Sequence, residues 1–177
     1  MSRPRIATAW LDGCSGCHMS LLDMDEALVE LAGQVDVVYS PTVDIKVFPE
    51  GVDVTLVEGA VSSEDDVHKI RTIRARTRVL VALGDCAVTG NVPSMRNLFQ
   101  TADVLDRAYV ENATVQPGRP TVEVPTLCAK VRPMHEVVKV DVFVPGCPPP
   151  PAAIAFTVTE LLAGRTPDPS GLTRFGK

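Results

Sequence analysis

The sequence lacks a block of like charge, a membrane-length apolar run and an even set of cysteines. Acidic and basic residues are interspersed, with a net charge of −5, so nothing marks a nucleic-acid surface. No uninterrupted apolar run approaches the ~20 residues of a membrane span. The opening Met1-Ser2-Arg3-Pro4-Arg5-Ile6 passes straight into a strand-like segment, leaving no room for a signal peptide. Arg3 and Arg5 are not adjacent, so they form no twin-arginine signal, and a cytoplasmic location is expected. Five cysteines are an odd number, and a reducing cytoplasm argues against a disulfide framework. No dinucleotide fingerprint is present either. What remains is ordinary for a globular protein: 177 residues, 45% hydrophobic and 22% charged, enough for one domain, residues 1–177, with a core of its own.

Apolar runs of strand length alternate with segments of helical period. Strands are predicted over Ile6–Leu11, Val35–Tyr39, Val52–Val57, Val79–Leu83 and Val138–Val144. Met19, Leu22, Met24, Ala27, Leu28 and Leu31 predict one helix, with Gly33 as its stop. Ser62-Ser63-Glu64-Asp65-Asp66 is an acidic helix start, continuing to Arg76, and a last helix covers Ala152–Ala163. This alternation predicts an α/β fold: a flavodoxin-like doubly wound parallel sheet with helices on both faces. The stretch from Asn91 to Pro133 fits no such unit, so a long irregular excursion is expected before the last strand.

The cysteines fall at strand ends. Cys14 and Cys17 follow the first strand, Cys86 the fourth and Cys147 the fifth. In a parallel α/β sheet those ends share one edge, where ligand sites form. Four thiols distant in sequence are therefore delivered to one place, with Gly13, Gly16, Gly84 and Gly146 admitting tight turns beside them. Four thiolates hold zinc or an iron–sulfur cluster. A zinc ribbon presents two C-x-x-C knuckles, whereas here one pair is joined by two lone cysteines, which favours a cluster, [4Fe–4S] in type. A thioredoxin-like thiol oxidoreductase using Cys14 and Cys17 is the other reading, since the pair lies between strand and helix; it leaves Cys86 and Cys147 unexplained. Cys128, between Leu127 and Ala129, reads as buried or interfacial.

Four segments carry a resemblance: Trp10-Leu11-Asp12-Gly13-Cys14-Ser15-Gly16-Cys17-His18-Met19-Ser20, Val57-Glu58-Gly59-Ala60-Val61, Gly84-Asp85-Cys86-Ala87 and Val144-Pro145-Gly146-Cys147-Pro148-Pro149. In this order they resemble the small subunit of [NiFe] hydrogenases, in particular that of cytoplasmic NAD-reducing (bidirectional) enzymes. Residues 131–141 look like the same family. The resemblance implies an electron-relay subunit of a hydrogen:NAD oxidoreductase, with one [4Fe–4S] cluster on Cys14, Cys17, Cys86 and Cys147. It also implies partners: a large subunit holding the Ni–Fe centre, and flavin- and iron–sulfur-containing diaphorase subunits with FMN and NAD. No cysteine follows Cys147, so one cluster is the expected limit. Complex-I-type quinone reductase subunits, the related alternative, carry adjacent cysteines in the first motif; here Ser15, Gly16 and His18 surround the pair. Some hydrogenases have a glutamate where this chain has Met19, which puts a proton or ligand role there in doubt. A flavin of this chain's own is left open by the fold.

Other side chains have competing readings. Glu58 closes an apolar run on the cysteine edge, where burial of a carboxylate is costly. It is expected either to bond neighbouring loop amides or to adjoin the cluster, moving protons or offering oxygen to an iron. His18 follows Cys17 and suits a hydrogen bond to sulfide or partner better than iron ligation. His68 is expected to face solvent, His135 to make a structural hydrogen bond, and Trp10 to pack in core or interface.

Overall fold

In a computed structural model the described residues are 3–176; Met1, Ser2 and Lys177, which the single-domain expectation includes, lie outside them. Five strands form the main sheet: β1 (Arg5–Trp10), β2 (Asp36–Tyr39), β3 (Val52–Glu58), β5 (Thr77–Leu83) and β7 (Val142–Val144). All neighbours are parallel, in the order β2-β1-β3-β5-β7. The chain moves outward from β1 to β2, then crosses back to β3, so the sheet reverses direction beside β1. That is the flavodoxin-like doubly wound order, and the loops at the carboxyl ends beside the reversal are where such folds bind ligands.

Alternation along the strands divides the core between two faces. Leu80 and Ala82 of β5 pack on one side with Ile70 and Ile73 of α3 (Glu64–Arg76), and Ala87 and Val88 of α4 (Asp85–Thr89). Val81 and Leu83 pack on the other with Ile154 and Val158 of α6 (Pro151–Leu162), together with Leu21 and Leu28 of α1 (Gly16–Leu22) and α2 (Glu26–Gln34). Helices therefore cover both faces, which is why β5 reads as a nearly continuous apolar run from Val79 to Leu83. Helix α3 begins as its acidic start predicts. Ser63 Oγ accepts from the Asp66 amide at 3.1 Å, and Asp66 Oδ2 accepts from the Ser63 amide at 3.0 Å, a reciprocal capping box.

Several elements depart from the sequence expectation. The first helix is two: between α1 and α2, Met24 turns into the core at 8% exposure and Asp25 takes φ +51°. Gly33 is not the stop, because α2 runs through it to Gln34. The last strand keeps only three residues, because Val138 donates to Met134 O at 3.0 Å, closing a turn, and Asp141 spends its side chain on the Leu80 amide at 2.8 Å. The excursion is less irregular than expected. It holds a 3₁₀ segment (Val92–Leu98), α5 (Thr101–Asp106) running into a π turn, and β6 (Leu127–Arg132), with residues 112–126 in irregular chain. Strand β6 pairs antiparallel with the unexpected β4 (Val61–Ser63) as a separate two-stranded sheet. Among the described residues no helix is long and apolar enough to cross a membrane.

Candidate iron–sulfur site

Parallel pairing aligns the carboxyl ends of β1, β3, β5 and β7, and the candidate site is built from the four loops that follow. The β1 and β3 loops are tied at their bases: Leu11 N donates to Glu58 O at 2.9 Å, Asp12 N to Ala60 O at 3.0 Å, and Ala60 N to Asp12 O at 2.7 Å. Beyond that tie the chain turns at Ser15, with φ +68°, directly into α1, which carries Cys17 in its first turn. Helix α4 brings Cys86 immediately after β5, and the turn after β7 brings Cys147, whose peptide bond to Pro148 is cis. Ser20 of α1 donates to Pro149 O at 2.5 Å, fastening the first cysteine helix to the last cysteine loop.

The result is a pocket of about 60 Å³ lined by Cys14, Cys17, Cys86 and Cys147 together with Glu58 and Asp85. Cys14 and Cys147 are exposed; Cys17 and Cys86 are half-buried. None is in a disulfide. Among the described residues no group of three or more His, Cys, Asp or Glu is arranged to hold a single metal ion; the four thiols stand around a common space instead. Asn91 Nδ2 donates to Cys147 Sγ at 3.5 Å.

Electrostatics in the pocket disfavour thiolates that have no cation. Burial pushes the Cys17 thiol well above its usual pKa, and Glu58, Cys86, Cys14 and Cys147 add repulsion in that order. Cys86 is pushed up to about 11, by burial first and then by the charge of Cys147. Thiols held up in this way, as Cys17 and Cys86 are, suit a cationic inorganic group, because a bound metal reverses the balance and deprotonates its sulfur ligands outright. The donor set is four sulfurs, the set that holds [4Fe–4S] clusters, and it fits that group.

Glu58 is 2% exposed, and its burial is offset by hydrogen bonds. Its Oε2 accepts from the His18 main-chain N–H at 2.7 Å and lies 2.8 Å from His18 Nδ1. The carboxylate therefore braces the turn that carries Cys17. His18 is occupied by Glu58 and packs edgewise on Trp10, ring centroids 5.3 Å apart; it does not line the pocket. The sequence did not foresee that pairing, nor the burial of Asp85, although an acidic residue at an apolar strand end was as visible at Asp85 as at Glu58. Cys128 sits half-buried on β6, away from the pocket. His68 is exposed as expected; His135 is exposed and lies edgewise on Phe143 at 5.9 Å.

Residues 14–161 match the family described as NADH ubiquinone oxidoreductase, 20 Kd subunit. The chain is 44% identical to the NAD-reducing hydrogenase HoxS subunit delta of Cupriavidus necator, covering 97% of this chain and 85% of that protein. It is 40% identical to a vhu subunit of the F420-non-reducing hydrogenase of Methanocaldococcus jannaschii, covering 92% of this chain but only 57% of that protein. A crystal structure of NAD+-reducing [NiFe]-hydrogenase in the H2-reduced state superposes with a TM-score of 0.93 at 40% identity, covering 98% of this chain and 99% of that one. The [NiFeSe] hydrogenase of Desulfovibrio vulgaris Hildenborough shares the fold, with a TM-score of 0.60 at 19% identity over 60% of that chain.

Proposed function

The chain belongs to the family of the NADH ubiquinone oxidoreductase 20 Kd subunit, and from that premise we propose that it is the electron-relay small subunit of an NAD-reducing [NiFe] hydrogenase. Its identity to hydrogenase subunits along nearly its whole length makes it a hydrogenase subunit. The observation that carries the relay reading is the convergence of Cys14, Cys17, Cys86 and Cys147 from three separate loops on one pocket. A thiol oxidoreductase working through Cys14 and Cys17 alone has no use for the other two.

In this reading the four thiolates hold one [4Fe–4S] cluster, which supplies one-electron transfer when bound. The protein's own part is rigidity and access. Ser20, Glu58 and the tie between the β1 and β3 loops fix three of the four loops, which keeps reorganisation small. Hydrogen activation belongs to a large subunit with a Ni–Fe centre, and NAD reduction to flavin- and iron–sulfur-containing diaphorase subunits. Exposed apolar side chains next to the cysteine loops support such partners. Met19 and Leu22 project from α1, and Val92, Met95, Leu98 and Phe99 from the segment after α4. Obligate interfaces are apolar in this manner.

The test is purification of the tagged chain under anaerobic conditions from the cells that make it. We expect a brown complex containing a larger, nickel-bearing subunit, with visible absorbance that bleaches under hydrogen. A colourless chain recovered alone, or a complex indifferent to hydrogen, contradicts the reading.

Glu58→Gln keeps the shape of the buried pair but removes a negative charge beside Cys17. The reduced cluster carries one more negative charge than the oxidised one, so its midpoint potential is expected to rise. A unit charge nearby at an effective dielectric near 20 sets the scale at about 1–2 kcal/mol, which for a one-electron step is tens of millivolts. Redox titration followed by electron paramagnetic resonance measures it; an unchanged potential assigns Glu58 to bracing alone.

A further inference from the structure

Only two carboxylates are buried among the described residues, Glu58 and Asp85. Asp85, at 4% exposure, is bonded beyond its own helix at three points, none of them a thiol. Its Oδ1 accepts from the Gly146 amide at 2.7 Å. Its Oδ2 accepts from the Gly176 amide at 2.9 Å. Its own amide donates to Gly146 O at 2.8 Å, while the preceding Gly84 amide donates to Val144 O at 2.8 Å. One side chain thus joins the residue before Cys86, the residue before Cys147 and a distant segment near Gly176.

That segment is pressed against the cysteine loop. Thr173, itself 5% exposed, donates from Oγ1 to Pro145 O at 2.5 Å. Gly146 is enclosed between it and the proline run: a Cβ there would stand 2.6 Å from Pro149 Cα and 2.9 Å from Thr173 Oγ1, at φ +132°. The neighbours of Thr173 in sequence, Leu172, Arg174, Phe175 and Gly176, are exposed. The segment is therefore fastened at two points, Thr173 and Gly176, and both fastenings reach the Cys147 loop, directly or through Asp85.

We propose that Asp85 is a positioning residue that sets the separation of Cys86 and Cys147, and that residues 169–176 are a strap which it holds across the Cys147 loop. The inference rests on the cluster reading above. A carboxylate can accept on both oxygens; an asparagine accepts on one and turns its NH2 toward the other donor. Asp85→Asn therefore cannot satisfy Gly146 and Gly176 together, and the exposed strap end is the one that yields. With the strap released, the loop bearing the exposed Cys147 loses its backing.

The experiment compares wild type, Asp85→Asn and Thr173→Val in the purified complex. It follows cluster release to a ferrous chelator and hydrogen exchange at the Gly146 and Gly176 amides. Asp85→Asn is expected to release its cluster about tenfold faster or more, the factor that corresponds to a lost hydrogen bond to a charged group. The Gly176 amide should lose its protection and the Gly146 amide part of its own as its loop loses backing, with Thr173→Val showing a smaller change in the same direction and trypsin cutting after Arg174 in both variants. A wild-type release rate with both amides still protected in Asp85→Asn overturns the proposal. Should Asp85→Asn fail to fold, wild-type release and exchange in Thr173→Val overturn it equally. A wild-type protein without iron defeats the cluster reading instead, and amide exchange in the cluster-free variants then decides the clamp alone.

Discussion

Replacing Gly84 with alanine is expected to strip the cysteine pocket of its metal while leaving the sheet folded. Gly84 links β5 to α4 with φ +83° and ψ 162°, a region that essentially only glycine occupies, at a cost of about 1–3 kcal/mol for other residues. Sterics add a second obstacle. A Cβ on Gly84 would stand 2.2 Å from Cys17 Sγ, far inside contact distance, and the next atom it meets, the Gly146 carbonyl oxygen at 3.4 Å, belongs to the Cys147 loop. Relief requires moving Cys17, the Cys147 turn or the start of α4, and each of these changes the relative placement of the sulfurs. Core strands β1, β3 and β5 do not depend on that turn, so far-ultraviolet circular dichroism should stay near wild type while iron content falls to a minor fraction. Full iron occupancy in Gly84→Ala contradicts the geometry described here.

A matched pair of serine exchanges should separate the two kinds of cysteine. Cys86→Ser replaces a soft thiolate, half-buried in the pocket, by a hydroxyl that iron–sulfur centres bind poorly. Most of the cluster is expected to be lost, together with its visible absorbance. Cys128→Ser alters a half-buried side chain on β6. The Cys128 carbonyl, which accepts from Arg96 Nη2 at 3.0 Å, is main chain and survives the exchange. Iron content in Cys128→Ser should therefore equal wild type. Loss in both variants, measured on the same preparations, would mean that general destabilisation rather than ligand removal empties the site.

The central sheet was legible because its strands are buried on both faces: Val79–Leu83 is an uninterrupted apolar run, Val52–Val57 is apolar at four of six positions, and the structure extends each by only a residue or two. The same reasoning placed Cys14, Cys17, Cys86 and Cys147 together, since parallel pairing sends every carboxyl end to one edge. Elements set by individual contacts and not by periodicity were not legible. Strand β4 is Val61-Ser62-Ser63, too short and polar to show a period, and it exists because β6 pairs with it. The break between α1 and α2 follows from Met24 seeking the core, which periodicity cannot distinguish from one continuous helix. Strand β7 is short because the Asp141 side chain takes the Leu80 amide and Arg74 Nη1, at 2.8 and 2.5 Å, so the pairing ends at the bond from the Asp141 amide to Leu80 O. Those bonds also explain its acidity: burial alone would raise the Asp141 carboxyl, but Leu80 and Arg74 outweigh it and hold the group below its usual range. The braces of the site, His18 on Glu58 and Asp85 on Gly146, depend on turn dihedrals such as φ +68° at Ser15, and no spacing rule reveals them.

Whether four cysteines from three loops hold one iron–sulfur cluster is tested most directly by iron, acid-labile sulfide and zinc per chain, measured on anaerobically purified wild-type protein. About four iron and about four sulfide are expected, the stoichiometry of a single cysteine-ligated [4Fe–4S] cluster. One zinc per chain with no sulfide would contradict the cluster and leave the similarity to hydrogenase subunits as a shared fold without the relay.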